Sequence, residues 1–272
     1  MDFTHRKCQI LKVEHPKDKV RLGHRLVYCK NAEDIGLSAA SYIHSIYKTK
    51  VSEKSQFTLV LSGGKTPEVL YRTLASPEFN NRIQWNRVKV FWGDERFVPK
   101  NDPESNFGMA HRTLLSKVTL PEENVYPIPT EADTAIEAAD TYENTLRTFF
   151  QQSGSITGSP PMPVFDLILL GLGKDGHAAS LFPGNSIDPQ STRWVEVVDA
   201  PPFYPTRERI TLTLPVLNSS ANIVFLVSGS DKKETLEQVL KGRTHNEEML
   251  PAQLVQTVSD IVWFTDIDMG GL

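Results

Sequence analysis

The residues best suited to chemistry stand in three short turns, each directly behind an apolar run. The first to weigh is Gly171-Leu172-Gly173-Lys174-Asp175-Gly176-His177. An imidazole can take up a proton near neutral pH, and a carboxylate two residues away can orient the ring and stabilise its charged form. A lone histidine is more often structural. Its place on a glycine-rich turn at a strand end favours general-base work, with Asp175 as its partner. The same residues satisfy G-x-G-x-x-G, a dinucleotide fingerprint. That fingerprint needs a full helix after its last glycine, and here Pro183-Gly184 stops any helix within two turns. A dinucleotide oxidoreductase is the weakest reading of this turn.

The second turn, Leu61-Ser62-Gly63-Gly64-Lys65-Thr66-Pro67, leads from a strand into a helix start. Glycines let backbone N–H groups approach an anion, and a helix N-terminus adds partial positive charge. Gly64-Lys65-Thr66 is like the end of a P-loop, but G-x-x-x-x-G-K-[ST] needs glycine at 59, where Leu59 stands. The pattern suits one phosphate rather than three; a Gly-Gly pair that merely turns the chain fits it equally. The third turn, Trp92-Gly93-Asp94-Glu95-Arg96-Phe97-Val98-Pro99, crowds two carboxylates and an arginine at a strand end. Arg96 could grip a phosphate bidentately, while the run as a whole reads as substrate contacts or as a solvated charge cluster. Two more cations are candidates. Lys232 follows a strand–glycine turn like the second one, whereas Arg209 opens a strand. That amino-terminal address argues against Arg209 unless the preceding loop curls back. Local pattern alone reads both as surface charges.

Absent motifs narrow the chemistry further. The sequence has no G-x-S-x-G nucleophile elbow and no histidine pair at metal-ligand spacing. Its two cysteines, Cys8 and Cys29, form neither a C-x-x-C pair nor a disulfide framework. Twenty-nine Lys+Arg against 33 Asp+Glu leave a net charge of −4, so there is no general attraction to nucleic acid or anionic lipid. An anionic ligand must be received by a few locally placed cations. No apolar stretch approaches the about 18 residues of a membrane span, and the charged N-terminus has no signal-peptide run. The expectation is a cytoplasmic protein in a reducing compartment.

These turns need a scaffold. With 272 residues, 39% hydrophobic and 23% charged, the chain can bury a full core. Apolar runs predict strands at 57–61, 88–92, 165–170, 209–213, 223–227 and 261–264. Helical spacing starts at Asn31, at Thr66-Pro67 as cap and first turn, and over 108–115, 133–152 and 232–240. Near-continuous apolar strands alternating with helices predict an α/β fold, a mostly parallel Rossmann-like sheet with helices on both faces. Its ligand would sit outside the carboxyl ends of the strands. Residues 1–26 are expected to form a poorly ordered arm and 27–272 a single domain; the Gly-, Ser- and Pro-rich 153–163 reads as a surface loop inside it as well as it would read as a boundary.

In order along the chain, Ser62-Gly63-Gly64-Lys65-Thr66-Pro67, the Trp92 to Pro99 turn with Ser105-Asn106 downstream, Gly171 through Pro183, Arg209-Ile210-Thr211-Leu212-Thr213 and Gly229-Ser230-Asp231-Lys232 resemble the 6-phosphogluconolactonase family, over about residues 30–265. The resemblance implies a deaminase/lactonase-type sheet. It implies hydrolysis of 6-phospho-D-glucono-1,5-lactone to 6-phospho-D-gluconate in the oxidative pentose phosphate pathway, without a cofactor, by a monomer or homodimer. In that family His177 would be the base that activates water and Asp175 its support. Ser62, Gly63, Gly64, Lys65, Arg96, Arg209 and Lys232 would hold the phosphate and sugar hydroxyls, and Asp94 and Glu95 would line the site. Lys233 stands where a small residue is expected and competes with Lys232 for its role. Related glucosamine-6-phosphate deaminases follow Asp-Gly-His with a phenylalanine–asparagine–glutamate–proline run. This chain has Ser180-Leu181-Phe182-Pro183 there and lacks the acid. A sugar-phosphate sensor without catalysis, the remaining alternative, has little need of both Asp175 and His177.

Overall fold

Short runs of Val, Ile, Leu and Phe pair into strands because branched and aromatic side chains pack well on a pleated, buried surface. In chain order the strands are β1 (Gln9–Val13), β2 (His24–Tyr28), β3 (Phe57–Leu61), β4 (Val88–Trp92), β5 (Asp94–Arg96), β6 (Val125–Tyr126), β7 (Ile156–Thr157), β8 (Met162–Pro163), β9 (Leu167–Gly171), β10 (Val195–Asp199), β11 (Glu208–Leu212), β12 (Ile223–Val227) and β13 (Ile261–Thr265). The helices are α1 (Ala32–Glu53), α2 (Lys65–Leu74), α3 (Pro77–Asn80), α4 (Asn106–Thr113), α5 (Ala135–Ser153), α6 (Leu214–Asn218), α7 (Lys233–Lys241) and α8 (Pro251–Leu254). This is a computed structural model, and it describes residues 8–13, 23–242 and 248–270.

Eight strands form the main sheet in the order β1-β2-β13-β12-β9-β3-β4-β6. Every neighbouring pair is parallel except β1–β2 at one edge. β3, β12 and β13 are buried at all five positions, as strands covered by helices on both faces must be. Aromatic packing fills the space above them. Phe225 stacks on Trp263 with ring centroids 3.8 Å apart, and Phe91 meets Phe149 at 5.1 Å and Phe165 at 5.3 Å. From β3 the chain builds outward through β4 to β6, and from β9 it builds the other way through β12 to β13. The β3–β9 seam is therefore where the strand order reverses, and there the diverging turns leave a crevice.

Two expectations needed correction. The strand anticipated at 209–213 does not enter the parallel sheet: β11 lies in a separate antiparallel sheet, order β10-β11-β5. The cause is β5, a strand hidden in the polar run after Trp92, which offers an edge for β11 with Arg209 opposite Arg96. Within the 1–26 arm, β1 pairs antiparallel with β2 from Gln9 opposite Tyr28 to Val13 opposite His24. Residues 1–7 and 14–22 of that arm lie outside the described residues. Finally, α2 begins one residue before Thr66. Gly64 takes the N-cap position at φ 106, and no side chain caps the helix.

Other boundaries agree within a few residues. Asn31 caps α1 by accepting from the Asp34 N–H at 2.9 Å, and Thr134 caps α5 by accepting from Glu137 at 3.2 Å. The loop at 153–163 folds back on itself as the β7–β8 hairpin.

Candidate active site

Four adjacent parallel strands, β12, β9, β3 and β4, send their following turns to one edge of the sheet. There the turns enclose a cavity of about 200 Å³ lined by residues of all four. Ser62, Gly63, Gly64, Lys65, Asp94, Arg96, His177 and Lys232 all line it. Asp175 and Arg209 stand immediately behind, through His177 and Arg96 respectively.

Each turn is held by something the local pattern did not reveal. After β3, the buried Tyr71 hydroxyl accepts from the Ser62 N–H at 2.9 Å and donates to the Ser62 carbonyl at 2.7 Å. After β4, the Tyr142 hydroxyl does the same to Trp92, at 3.0 Å both ways. Two phenols thus satisfy backbone groups where the strands end, and burial pushes both well above their usual pKa. Gly63 has no room for a side chain, since a Cβ would lie 1.8 Å from the Asn106 Oδ1. With no side chain capping α2, its first N–H groups stay open to an anion beside Lys65.

Glu95 is a correction. It does not line the cavity; it is buried at 2% exposure. Its carboxylate accepts from the N–H groups of Arg96 (2.8 Å), Asn106 (2.7 Å) and Phe107 (2.7 Å) and from the Ser105 hydroxyl at 3.2 Å. It shapes the loop that presents Arg96 and the start of α4. Burial raises its pKa despite those donors. Asp94 does line the cavity and accepts from the Ser180 hydroxyl at 2.7 Å.

The cations converge from three elements. The Arg96 guanidinium donates to the Glu104 carbonyl, while its buried Nε has no hydrogen-bond partner among the described residues. Such a donor is costly unless a ligand or water meets it. Antiparallel pairing with β5 turns the amino end of β11 toward this edge, so Arg209 arrives beside Arg96 by a route that a parallel strand would have forbidden. Burial and the neighbouring Arg96 charge both depress the Arg209 pKa. Lys232 sits in the short 3-10 turn ahead of α7, and burial lowers its pKa too. Lys233 is exposed and does not line the cavity, whereas Lys232 does.

The glycine turn after β9 forms no helix. The Gly173 N–H donates to the His177 carbonyl at 2.9 Å, closing a tight loop whose Gly176 has φ +83. Thr235 of α7 and Ala252 of α8 brace it by donating to the carbonyls of Lys174 (2.6 Å) and Gly176 (3.0 Å). His177 Nδ1 lies 2.5 Å from Asp175 Oδ1. Burial alone would raise the Asp175 carboxyl, but the hydrogen bond and charge of His177 outweigh it and hold the group below its ordinary value. An ionised Asp175 requires the hydrogen on Nδ1, which leaves Nε2 as the nitrogen that can act on a ligand. Ala179, another lining residue, has φ 51, a strained setting of the kind that clusters at functional sites.

The sequence and the fold have known counterparts. Residues 30–263 match the family described as glucosamine-6-phosphate isomerases/6-phosphogluconolactonase. The chain belongs to that family. It is 41% identical over 235 residues to 6-phosphogluconolactonase 3, chloroplastic, of Arabidopsis thaliana, covering 86% of this chain and 70% of the relative. It is 39% identical over 222 residues to the 6-phosphogluconolactonase of Synechocystis, covering 81% and 86%. Among solved structures, 6-phosphogluconolactonase from Thermotoga maritima superposes with a TM-score of 0.71 at 30% identity, covering 88% of this chain and 97% of the other. This family's sheet is the one observed here, seven parallel strands flanked by helices, with β1 added antiparallel at its edge.

Proposed function

We infer that this chain is a 6-phosphogluconolactonase, which hydrolyses 6-phospho-D-glucono-1,5-lactone to 6-phospho-D-gluconate in the pentose phosphate pathway. The observation that carries the reading is one cavity with a carboxylate-supported imidazole on one turn and cations with open helix N–H groups on the others. The phosphate is held by the Ser62–Lys65 turn, Arg96 and Lys232, with Arg209 adding its charge from behind, and Asp94 accepts from a sugar hydroxyl. That anchoring brings the lactone carbonyl to His177. Nε2 takes a proton from a water as its oxygen attacks C1, and Asp175 stabilises the imidazolium that forms. The tetrahedral intermediate then expels the ring oxygen, which takes a proton from the imidazolium, so the acid is released and the base restored. General-base catalysis of this kind contributes on the order of 10²–10⁴ in rate.

Deaminase chemistry is disfavoured by the segment after His177. Its Ser180 is bonded to Asp94 and its Phe182 ring packs 4.8 Å from the imidazole, so the run supplies no carboxylate. Both cysteines are free thiols, which supports a reducing compartment such as the cytoplasm. No helix among the described residues is long and apolar enough to cross a membrane. The Arabidopsis relative is named chloroplastic, and a fluorescent fusion of this chain separates the two locations.

The activity is tested by following lactone loss at slightly acidic pH, corrected for spontaneous hydrolysis, beside ammonia release from glucosamine 6-phosphate. Acceleration of the first alone is expected, with His177→Ala folded but nearly inactive. Ammonia release without lactone hydrolysis, or wild-type turnover in His177→Ala, overturns the reading.

A further inference from the structure

The connection between β10 and β11 runs through Pro201-Pro202-Phe203-Tyr204-Pro205. Three prolines in five residues restrict this backbone before it folds. Two bonds then close it, Ala200 N–H to the Arg207 carbonyl at 2.7 Å and Tyr204 N–H to the Pro201 carbonyl at 3.0 Å. The loop is built on the second sheet, independent of the glycine turn that carries His177. Its tip nevertheless reaches that turn. The Tyr204 hydroxyl donates to Asp175 Oδ2 at 3.4 Å and lies 3.2 Å from His177 Nδ1. The Tyr204 ring stands edge-on to the imidazole, centroids 5.6 Å apart, and packs against Phe182 at 5.3 Å. Its other neighbour is Arg209, whose guanidinium carbon is 5.8 Å from the ring centroid.

We propose that Tyr204 is a positioning residue for the Asp175–His177 pair, fixing the plane of the Asp175 carboxylate and tying it to the Arg209 side of the cavity. The inference rests on His177 acting as the base. An aspartate's terminal torsion is broad, and both contacts from His177, its Nδ1 at 2.5 Å and its backbone N–H at 3.3 Å, fall on Oδ1, so the anchoring of that one oxygen does not lock the carboxylate. A second donor on Oδ2 does, and it keeps Nδ1 protonated and Nε2 directed at the ligand. The phenol can serve as donor at every working pH because burial and the Asp175 charge push its pKa to about 12. The charged groups facing the hydroxyl are Asp175 from the glycine turn, Arg209 from β11 and Arg96 from β5. Lys65, Asp94 and Lys232 line the same cavity as His177.

Tyr204→Phe removes the hydroxyl and keeps the ring over Arg209. The expected result is a kcat lowered roughly tenfold, as loss of one hydrogen bond to a charged group implies, with KM within about twofold. The acid limb of the kcat/KM profile should also move to higher pH, since a carboxylate that has lost a donor favours the imidazolium more strongly. A merely structural tyrosine would lower the melting temperature and leave that limb in place; this outcome, or wild-type kcat and profile, overturns the proposal. His177→Ala, measured alongside, keeps the two claims apart. If it is inactive while Tyr204→Phe is unaltered, only the Tyr204 inference fails; if it is fully active, the reading of the base fails first.

Discussion

Gly173→Ala is the sharpest perturbation the geometry offers, because it adds one methyl group at a residue that itself does no chemistry. Gly173 does not need a positive φ, so the backbone accepts alanine. The new Cβ, however, would lie 2.0 Å from His177 Nδ1, 2.2 Å from its Cε1 and 2.5 Å from Asp175 Oδ1, where ordinary contact begins at 3.4 Å. The imidazole must therefore retreat by about 1.4 Å, the difference between 3.4 and 2.0 Å. The His177 carbonyl remains fixed by the Gly173 N–H, so the displacement falls on the side chain and on its bond to Asp175. A misplacement of about 1 Å can cost roughly 10²-fold, which corresponds to about 2.7 kcal/mol of transition-state stabilisation. Initial-rate measurements on the lactone should show kcat reduced by about that factor or more. KM and inhibition by 6-phosphogluconate should change little, because the anion's partners lie on other turns. A folded Gly173→Ala enzyme with wild-type kcat refutes the claim that this imidazole must stand where the structure puts it.

Two further substitutions probe other parts of the site. Gly63→Ala would drive a Cβ to 1.8 Å from Asn106 Oδ1 and break the Asn106 Nδ2 to Asp94 carbonyl bond of 2.9 Å. It should raise KM by about tenfold with a smaller effect on kcat, the opposite signature to Gly173→Ala, read from the same saturation curves. Glu143→Gln tests the anchoring of the second sheet. The Glu143 carboxylate accepts from Arg147, Arg193 and the N–H groups of Trp194 and Val195. Burial would raise its pKa, but Arg147 and Arg193 prevail and hold it below the ordinary 4.5. A group depressed on folding contributes stability that is complete above its unfolded pKa and is lost as pH falls through the folded one. Thermal melts should therefore show the wild type losing stability below about pH 4.5, and Glu143→Gln starting about 1–3 kcal/mol lower near pH 7 with a flatter acid decline.

The parallel sheet was legible because runs such as 223–227 and 261–264 are uniformly apolar, and uniform burial leaves that pattern whatever the partners. β5 was not legible: Asp94-Glu95-Arg96 carries no apolar signal, and its pairing depends on β11, more than a hundred residues away. Arg209 does stand at the amino end of its strand, but without β5 that end reads as facing away from the site; the antiparallel register with β5 brings it there. The site turns stood out because glycines and charges directly behind an apolar strand combine open backbone N–H groups with local charge at the edge where ligands bind. Their supports did not, since Tyr71 and Tyr142 look like core aromatics until their hydroxyls are seen on backbone groups. Glu95 shows the same limit from the other side. A charge run cannot declare which carboxylate faces the cavity and which turns inward to collect N–H groups.

A crystal structure of the complex with 6-phospho-D-gluconate tests the central assignment most directly. The phosphate is expected on the Gly63–Gly64 backbone with Lys65, Arg96 and Lys232, and the C1 carboxylate within hydrogen-bond reach of His177 Nε2. A ligand bound in the reverse sense, with its phosphate at His177, or one whose C1 lies beyond reach of that nitrogen, contradicts it.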